Sequence, residues 1–188
     1  MIWLLIAALF AAPTPRRGQR APSAAGAPES LSDEEIARRA NGYLGSIDTP
    51  ISAEQWRALG PRAATVLEPI IGDRNALPTR RAKAIDGLVA AAPSRAAQLV
   101  GKLARDETEP VVVRVAALHG ARRALPSAKL IAELKPVLES ARDPGLRGVA
   151  AEVITHAKGG CAAVRARLER EGADERAAYD RALRRCGE

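Results

Sequence analysis

Arg62-Ala63-Ala64-Thr65-Val66-Leu67 returns as Arg95-Ala96-Ala97-Gln98-Leu99-Val100, which sets a 33-residue period. Leu67-Glu68-Pro69-Ile70-Ile71 returns two units on as Leu134-Lys135-Pro136-Val137-Leu138. A further series shares the period, because Arg81, Arg114 and Arg147 are spaced by 33 and 33. Each opens an Ala-rich segment whose apolar positions also match: Ala84, Ile85 and Leu88; Ala117, Leu118 and Ala121; Ala150, Ala151 and Ile154. Self-similarity at a fixed period of this size marks a repeat architecture. One unit cannot bury its apolar stripe alone, so neighbouring units must share one core.

The rest of the chain agrees with helices. Hydrophobic residues make up 47% but aromatics only 3%, so the core must be built from Ala, Leu, Val and Ile. Ala and Leu lead the helix-propensity ranking, and the β-branched and aromatic runs expected of strands are nearly absent. Ser32-x-x-Glu35 and Ser52-x-x-Gln55 read as capping boxes, and Ser94 and Ser127 fall where helices should start. Gly60-Pro61, Ala92-Pro93, Leu125-Pro126 and Gly159-Gly160 punctuate the helices, whose short connections favour antiparallel neighbours. Pro69 and Pro136 lie at matched positions inside helices, where Pro should introduce a kink.

In each unit an Asp ends one apolar helix and an Arg begins the next: Asp73 with Arg81, Asp106 with Arg114, and Asp143-Pro144-Gly145-Leu146-Arg147. This pattern resembles the HEAT repeat, in which a first helix of Leu-Pro-Leu type is followed by Asp and then by Val-Arg-x-x-Ala-Ala. The resemblance covers roughly residues 61–158. It implies an all-α, right-handed α-solenoid of antiparallel helix pairs, about ten short helices in all, with outer first helices and a concave face of second helices. It also implies scaffolding of proteins or nucleic acids, although a minority of such proteins are enzymes. Residues 31–59, with Tyr43 and Trp56, should form an atypical N-terminal cap, and residues 160–185 the C-terminal one.

The preceding segment points to export. Ile2 to Ala12 is an unbroken apolar run of 11 residues, long enough for a signal-peptide core and too short for a membrane span, which takes about 20. An uncleaved anchor or a mis-assigned start is the alternative, since no Lys or Arg precedes the run. The chain thus divides into an apolar segment over 1–12, a Pro/Ala/Arg-rich linker without bulky apolar residues over 13–30, and the helical domain over 31–188. The periplasm or the extracellular space is the expected location, with no transmembrane span in the mature protein. The composition, heavy in Ala, Arg and Gly, suggests a GC-rich bacterial gene.

Two cysteines are too few for a structural zinc site. A hairpin at Glu171-Gly172-Ala173-Asp174 would bring Cys161 and Cys186 together, and in an oxidising compartment they should form a disulfide. The alternative is two free thiols in a cytosolic protein.

The 33-residue register places Asp86, His119 and Glu152 in equivalent positions, with His156 one turn after Glu152. Such residues could ligate a divalent metal, but helices spaced about 8–10 Å apart would strain convergence on one ion. A polar row that contacts a partner is the expected reading, and Lys83, Arg122, Arg123 and Lys158 join it. Arg81, Arg114 and Arg147 should instead pair with the neighbouring Asp and with carbonyls to fix the inter-helix turn. The net charge of +7 is interspersed with acids rather than gathered in a stripe, which disfavours nucleic acid. GxSxG, P-loop, GxGxxG and HExxH motifs are missing from the sequence, so neither catalysis nor a cofactor is expected. The expectation is a monomeric, non-catalytic protein-interaction scaffold. The alternative is a nucleic-acid-binding or DNA-glycosylase-like HEAT protein, should the N-terminus not be an export signal.

Overall fold

The computed structural model describes residues 31–187, so the expectations for 1–30 lie outside the described residues. Every regular element among the described residues is helical. In order they are α1 (Asp33–Gly45), α2 (Ala53–Ala58), a 3-10 turn (Pro61–Ala63), α3 (Ala64–Gly72) and α4 (Pro78–Ala91). Next come α5 (Pro93–Ala96), α6 (Val100–Arg105), α7 (Val111–Ala124) and α8 (Ser127–Ser140). The chain ends with α9 (Pro144–Ile154), α10 (Gly160–Leu168), α11 (Ala173–Leu183) and a 3-10 turn (Arg184–Cys186).

The repeat is visible in these bounds. Helices α4, α7 and α9 begin at Pro78, Val111 and Pro144, which keep the 33-residue spacing. The matched apolar positions turn inward: Ala84, Ile85, Leu88, Ala117, Leu118, Ala121, Ala150, Ala151 and Ile154 are all fully buried. Helix α7 packs against α4 and α9, α9 packs against α11, and α2 packs against α4. On the other side α6 and α8 meet, as do α8 and α10, and the two sides join through α3–α4, α6–α7 and α8–α9. One continuous core of Leu, Ile, Val and Ala results, with Trp56 and Tyr179 its large aromatics.

Close approach of the units depends on two glycines in register. A Cβ on Gly87 would meet the Trp56 ring at 2.9 Å. A Cβ on Gly120, its equivalent in the next unit, would meet Val89 Cγ2 at 3.0 Å, Val100 Cγ1 at 3.3 Å and Ile85 Cγ2 at 3.5 Å. Any side chain there would hold neighbouring helices apart, and dispersion contacts weaken steeply with such gaps.

Some local expectations need correction. Eleven α-helices are present among the described residues, in keeping with the expected number, and the segment starting at Pro93 divides into α5 and α6 across Ala97–Leu99. Ser52 forms the full capping box with Gln55. Ser32 accepts from the Glu35 amide, but the Glu35 carboxylate turns to Arg38 and Arg39 instead of reaching back. Ser94 and Ser127 are not caps. The capping positions are Ala92 and Pro126, and both serines lie inside the first helical turn. Pro69 and Pro136 do lie inside α3 and α8.

The Arg series is corrected as well. Arg81 Nε donates to the Ile71 carbonyl at 2.8 Å, and Arg114 Nε to the Ala104 carbonyl at 3.0 Å. Arg147 donates to the Ala141 carbonyl at 2.9 Å. The carbonyl half of the expectation therefore holds, but the acids come from further along the chain. Glu109 takes both terminal nitrogens of Arg81, at 2.9 and 2.6 Å, and Glu171 takes Arg147 at 2.7 and 2.9 Å. Asp73, Asp106 and Asp143 instead accept the backbone N–H of Asn75, Thr108 and Gly145, respectively. A short Asp side chain satisfies its own turn more readily than it reaches an arginine one helix away.

Cys161 and Cys186 are disulfide-bonded, with Cα atoms 6.0 Å apart. The bridge ties the start of α10 to the turn after α11, and Glu171 anchors the same hairpin. That carboxylate accepts from Arg147 and from the Tyr179 hydroxyl at 2.5 Å, and it forms an ion pair with Arg167 at 2.9 Å. The Arg147 guanidinium, with help from Tyr179 and Arg167, holds the Glu171 carboxyl at about 2, against the cost of burial. Burial, then Glu171 itself, pushes the Tyr179 phenol well above its ordinary value.

Candidate functional site

Helices α4, α7 and α9 each carry one member of the expected row: Asp86, His119 and Glu152. Because the three helices begin one repeat apart and pack in sequence, their equivalent positions share one side of the domain. Asp86 and Glu152 are exposed and His119 is half-buried.

The row is tied together across helices. Arg123 on α7 donates to Asp86 on α4 at 2.6 Å. Arg122 lies 3.3 Å from Nε2 of His156, just past the end of α9. Of the two arginines, Arg123 is paired with an acid and Arg122 lies against an imidazole. Burial, followed by the nearby guanidinium groups of Arg185 and Arg122, lowers the His156 pKa, while Glu152 opposes them. Burial and the two guanidinium groups favour the neutral imidazole, whose unprotonated nitrogen can accept a hydrogen bond. Lys158 is exposed in the turn before α10.

At the α4 end the row meets an apolar recess. Tyr43 and Trp56 pack edge to face, with ring centroids 5.1 Å apart and planes at 84°. Beside them the connection between α1 and α2 forms the wall of a cavity of about 250 Å3, lined by Ile47, Pro50, Ile51, Lys83 and Asp86 among others. Lys83 Nζ donates to the Ser46 carbonyl, and Ser46 Oγ donates to the Thr49 carbonyl at 2.8 Å. These bonds hold a loop whose tip, Ile47, is 90% exposed. An isoleucine in that position contributes nothing to the core, and its apolar surface lies open to water. At the opposite end, Glu152 lines a second cavity of about 390 Å3 with Arg181 and Arg185 of the C-terminal hairpin.

Lys83, Asp86, Arg123, Arg122 and His156 thus belong to one linked surface, with His119 and Glu152 in the same row. Sequence reasoning missed Ile47, Arg181 and Arg185. A bulky aliphatic residue in a Ser/Asp/Thr/Pro loop was the available signal for Ile47. The two arginines had none, because their approach to Glu152 depends on how α11 packs on α9.

Among the described residues, no group of three or more His, Cys, Asp and Glu side chains could hold a metal ion. No described helix is long and apolar enough to cross a membrane. What the surface offers is contact chemistry: a charged row of both signs, an imidazole, and an exposed aliphatic side chain that lines the same cavity as an aromatic pair. Comparison with protein-family models, curated proteins and solved structures finds no match to this chain.

Proposed function

We propose that the chain is a HEAT-like, right-handed α-solenoid of antiparallel helix pairs whose concave face, formed by α4, α7 and α9, holds a protein partner without catalysis. The observation that carries the reading is the juxtaposition of Ile47, 90% exposed beside the Tyr43–Trp56 pair, with the bridged row running from Asp86 to His156. Protein interfaces combine such an apolar anchor with a polar, satisfied rim. The packing of helices that start at a constant interval supports the solenoid, since each unit presents the same face to one side.

Ion pairing supports a protein partner over nucleic acid. Arg62, Arg74, Arg95, Arg105, Arg123 and Arg147 are each matched to a carboxylate, so much of the positive charge is already compensated. The Cys161–Cys186 bridge supports an oxidising location, either the periplasm or outside the cell. The protein acts there as a monomer.

Site-specific photo-crosslinking tests the reading. A crosslinker at Ile47 or at His119 should capture the same protein in the intact cell envelope, and one at Lys135 on α8 should not. Equal capture from all three positions would refute a dedicated face. A steeply salt-dependent affinity for DNA would refute the choice of partner.

A further inference from the structure

The three arginines of the 33-residue series are not equally provided for. Arg81 is 2% exposed and grips Glu109 with both terminal nitrogens. Arg147 grips Glu171 through Nε and one terminal nitrogen. Arg114, between them, is 5% exposed and spends Nε on the Ala104 carbonyl. Among the described residues its guanidinium makes no ion pair and no second hydrogen bond; its terminal nitrogens keep slight contact with solvent, and its charge reaches Asp106 only at longer range.

The register shows why. Glu109 lies 28 residues after Arg81, and the same step from Arg114 leads to Arg142. An arginine therefore stands where the first unit has its acid, while the third unit draws Glu171 from 24 residues away. The Arg142 side chain is 92% exposed and pairs with Glu107 at 3.2 Å instead of turning inward. A cavity of about 230 Å3 is left at this point, lined by Arg114, Arg105, Glu107, Pro136, Val137, Ser140 and Ala141. The other charges around it are already engaged. Arg105 is held by Glu133, and the Asp106 carboxylate is committed to Thr108 and to Arg74 at 3.0 Å.

We propose that this cavity is a carboxylate-binding site, in which an external carboxylate on a short aliphatic stem takes the place that Glu109 and Glu171 occupy against Arg81 and Arg147. A guanidinium presents parallel N–H donors that match a carboxylate in two-point contact, and burial strengthens the pairing. Pro136, Val137 and Ala141 supply an apolar wall for one or two methylenes. The ligand is either a Glu-like side chain of a polypeptide or a free short-chain carboxylate. The site does not depend on the α4–α7–α9 face, and either assignment can fail without the other.

The test uses the folded chain with its disulfide intact, in chloride-free buffer. The Nε–H resonance of Arg114 is followed by NMR during titration with propionate, with its neutral analogue propionamide, and with the capped peptide acetyl-Ala-Glu-Ala-amide. The expected result is a saturable shift with propionate and with the peptide, and none with propionamide. Binding at least ten-fold tighter for the peptide identifies a polypeptide ligand, and equal affinity identifies a small carboxylate. Arg142→Glu puts an acid 28 residues after Arg114, as Glu109 stands after Arg81, so it should abolish binding of both probes and raise Tm. Absence of a saturable shift with both carboxylates would overturn the proposal. So would propionamide binding as well as propionate does, or an Arg142→Glu protein that binds like the wild type.

Discussion

Replacing Glu171 with Gln removes the single carboxylate on which Arg147, Arg167 and Tyr179 converge, while keeping the side chain's shape. The side chain is 3% exposed, so its charge is worth more than that of a surface pair. Its carboxyl is held at about 2 in the folded chain against an ordinary 4.5, a difference equivalent to about 3 kcal/mol. Breaking a buried pair by removing one partner costs about 3–5 kcal/mol, and the two arginines here keep slight contact with water. A loss of about 3 kcal/mol at pH 7 is therefore expected for Glu171→Gln. Urea unfolding followed by circular dichroism measures it. Because the folded pKa is depressed, the contribution is complete above about pH 4.5 and is lost as pH falls from there toward 2. The gap between wild type and variant should close over that window, and the comparison cancels the other carboxylates that both proteins share. A gap below about 0.5 kcal/mol at pH 7, or one that persists undiminished at pH 2, would refute the assignment.

Reducing the Cys161–Cys186 bridge, or replacing both cysteines with Ser, should cost about 3 kcal/mol for a loop of 25 residues. Thermal unfolding with and without reductant reads this directly. Gly87→Ala should destabilise by about 1–3 kcal/mol, because the new methyl meets the Trp56 ring at 2.9 Å. Indole fluorescence would report the displaced ring, although Trp3 must first be replaced to leave a single reporter. Ser52→Ala removes one arm of the capping box and should cost about 1 kcal/mol, measured as a shifted denaturation midpoint.

The 33-residue spacing made the helices and their inward faces legible before any coordinates. Ala84, Ala117 and Ala150 recur at that interval, and an Ala-rich helix face has no other way to be buried in so regular a chain. The partners of the arginines were not legible. Asp73 and Asp106 stand nearer in sequence, yet their short side chains are used by their own turns, whereas Glu109 and Glu171 reach Arg81 and Arg147 from 28 and 24 residues away. The polar row was recoverable from register, since Asp86, His119 and Glu152 are equivalent positions. Its bridging by Arg123 and Arg122 depends on side-chain reach between helices, which periodicity does not encode. Arg142 is legible only against the first unit, because it stands 28 residues after Arg114 as Glu109 stands after Arg81.

The claim beneath all of this is that successive units lie flank to flank along α4 and α7. An isotope-edited NOESY spectrum of the folded domain tests it most directly. Cross-peaks are expected from Gly87 Hα to the Trp56 indole ring, and from Gly120 Hα to the γ-methyls of Ile85 and Val89. A well-dispersed helical spectrum lacking both sets would contradict that claim, since helices separated by more than a side chain at those two glycines could share neither core nor face.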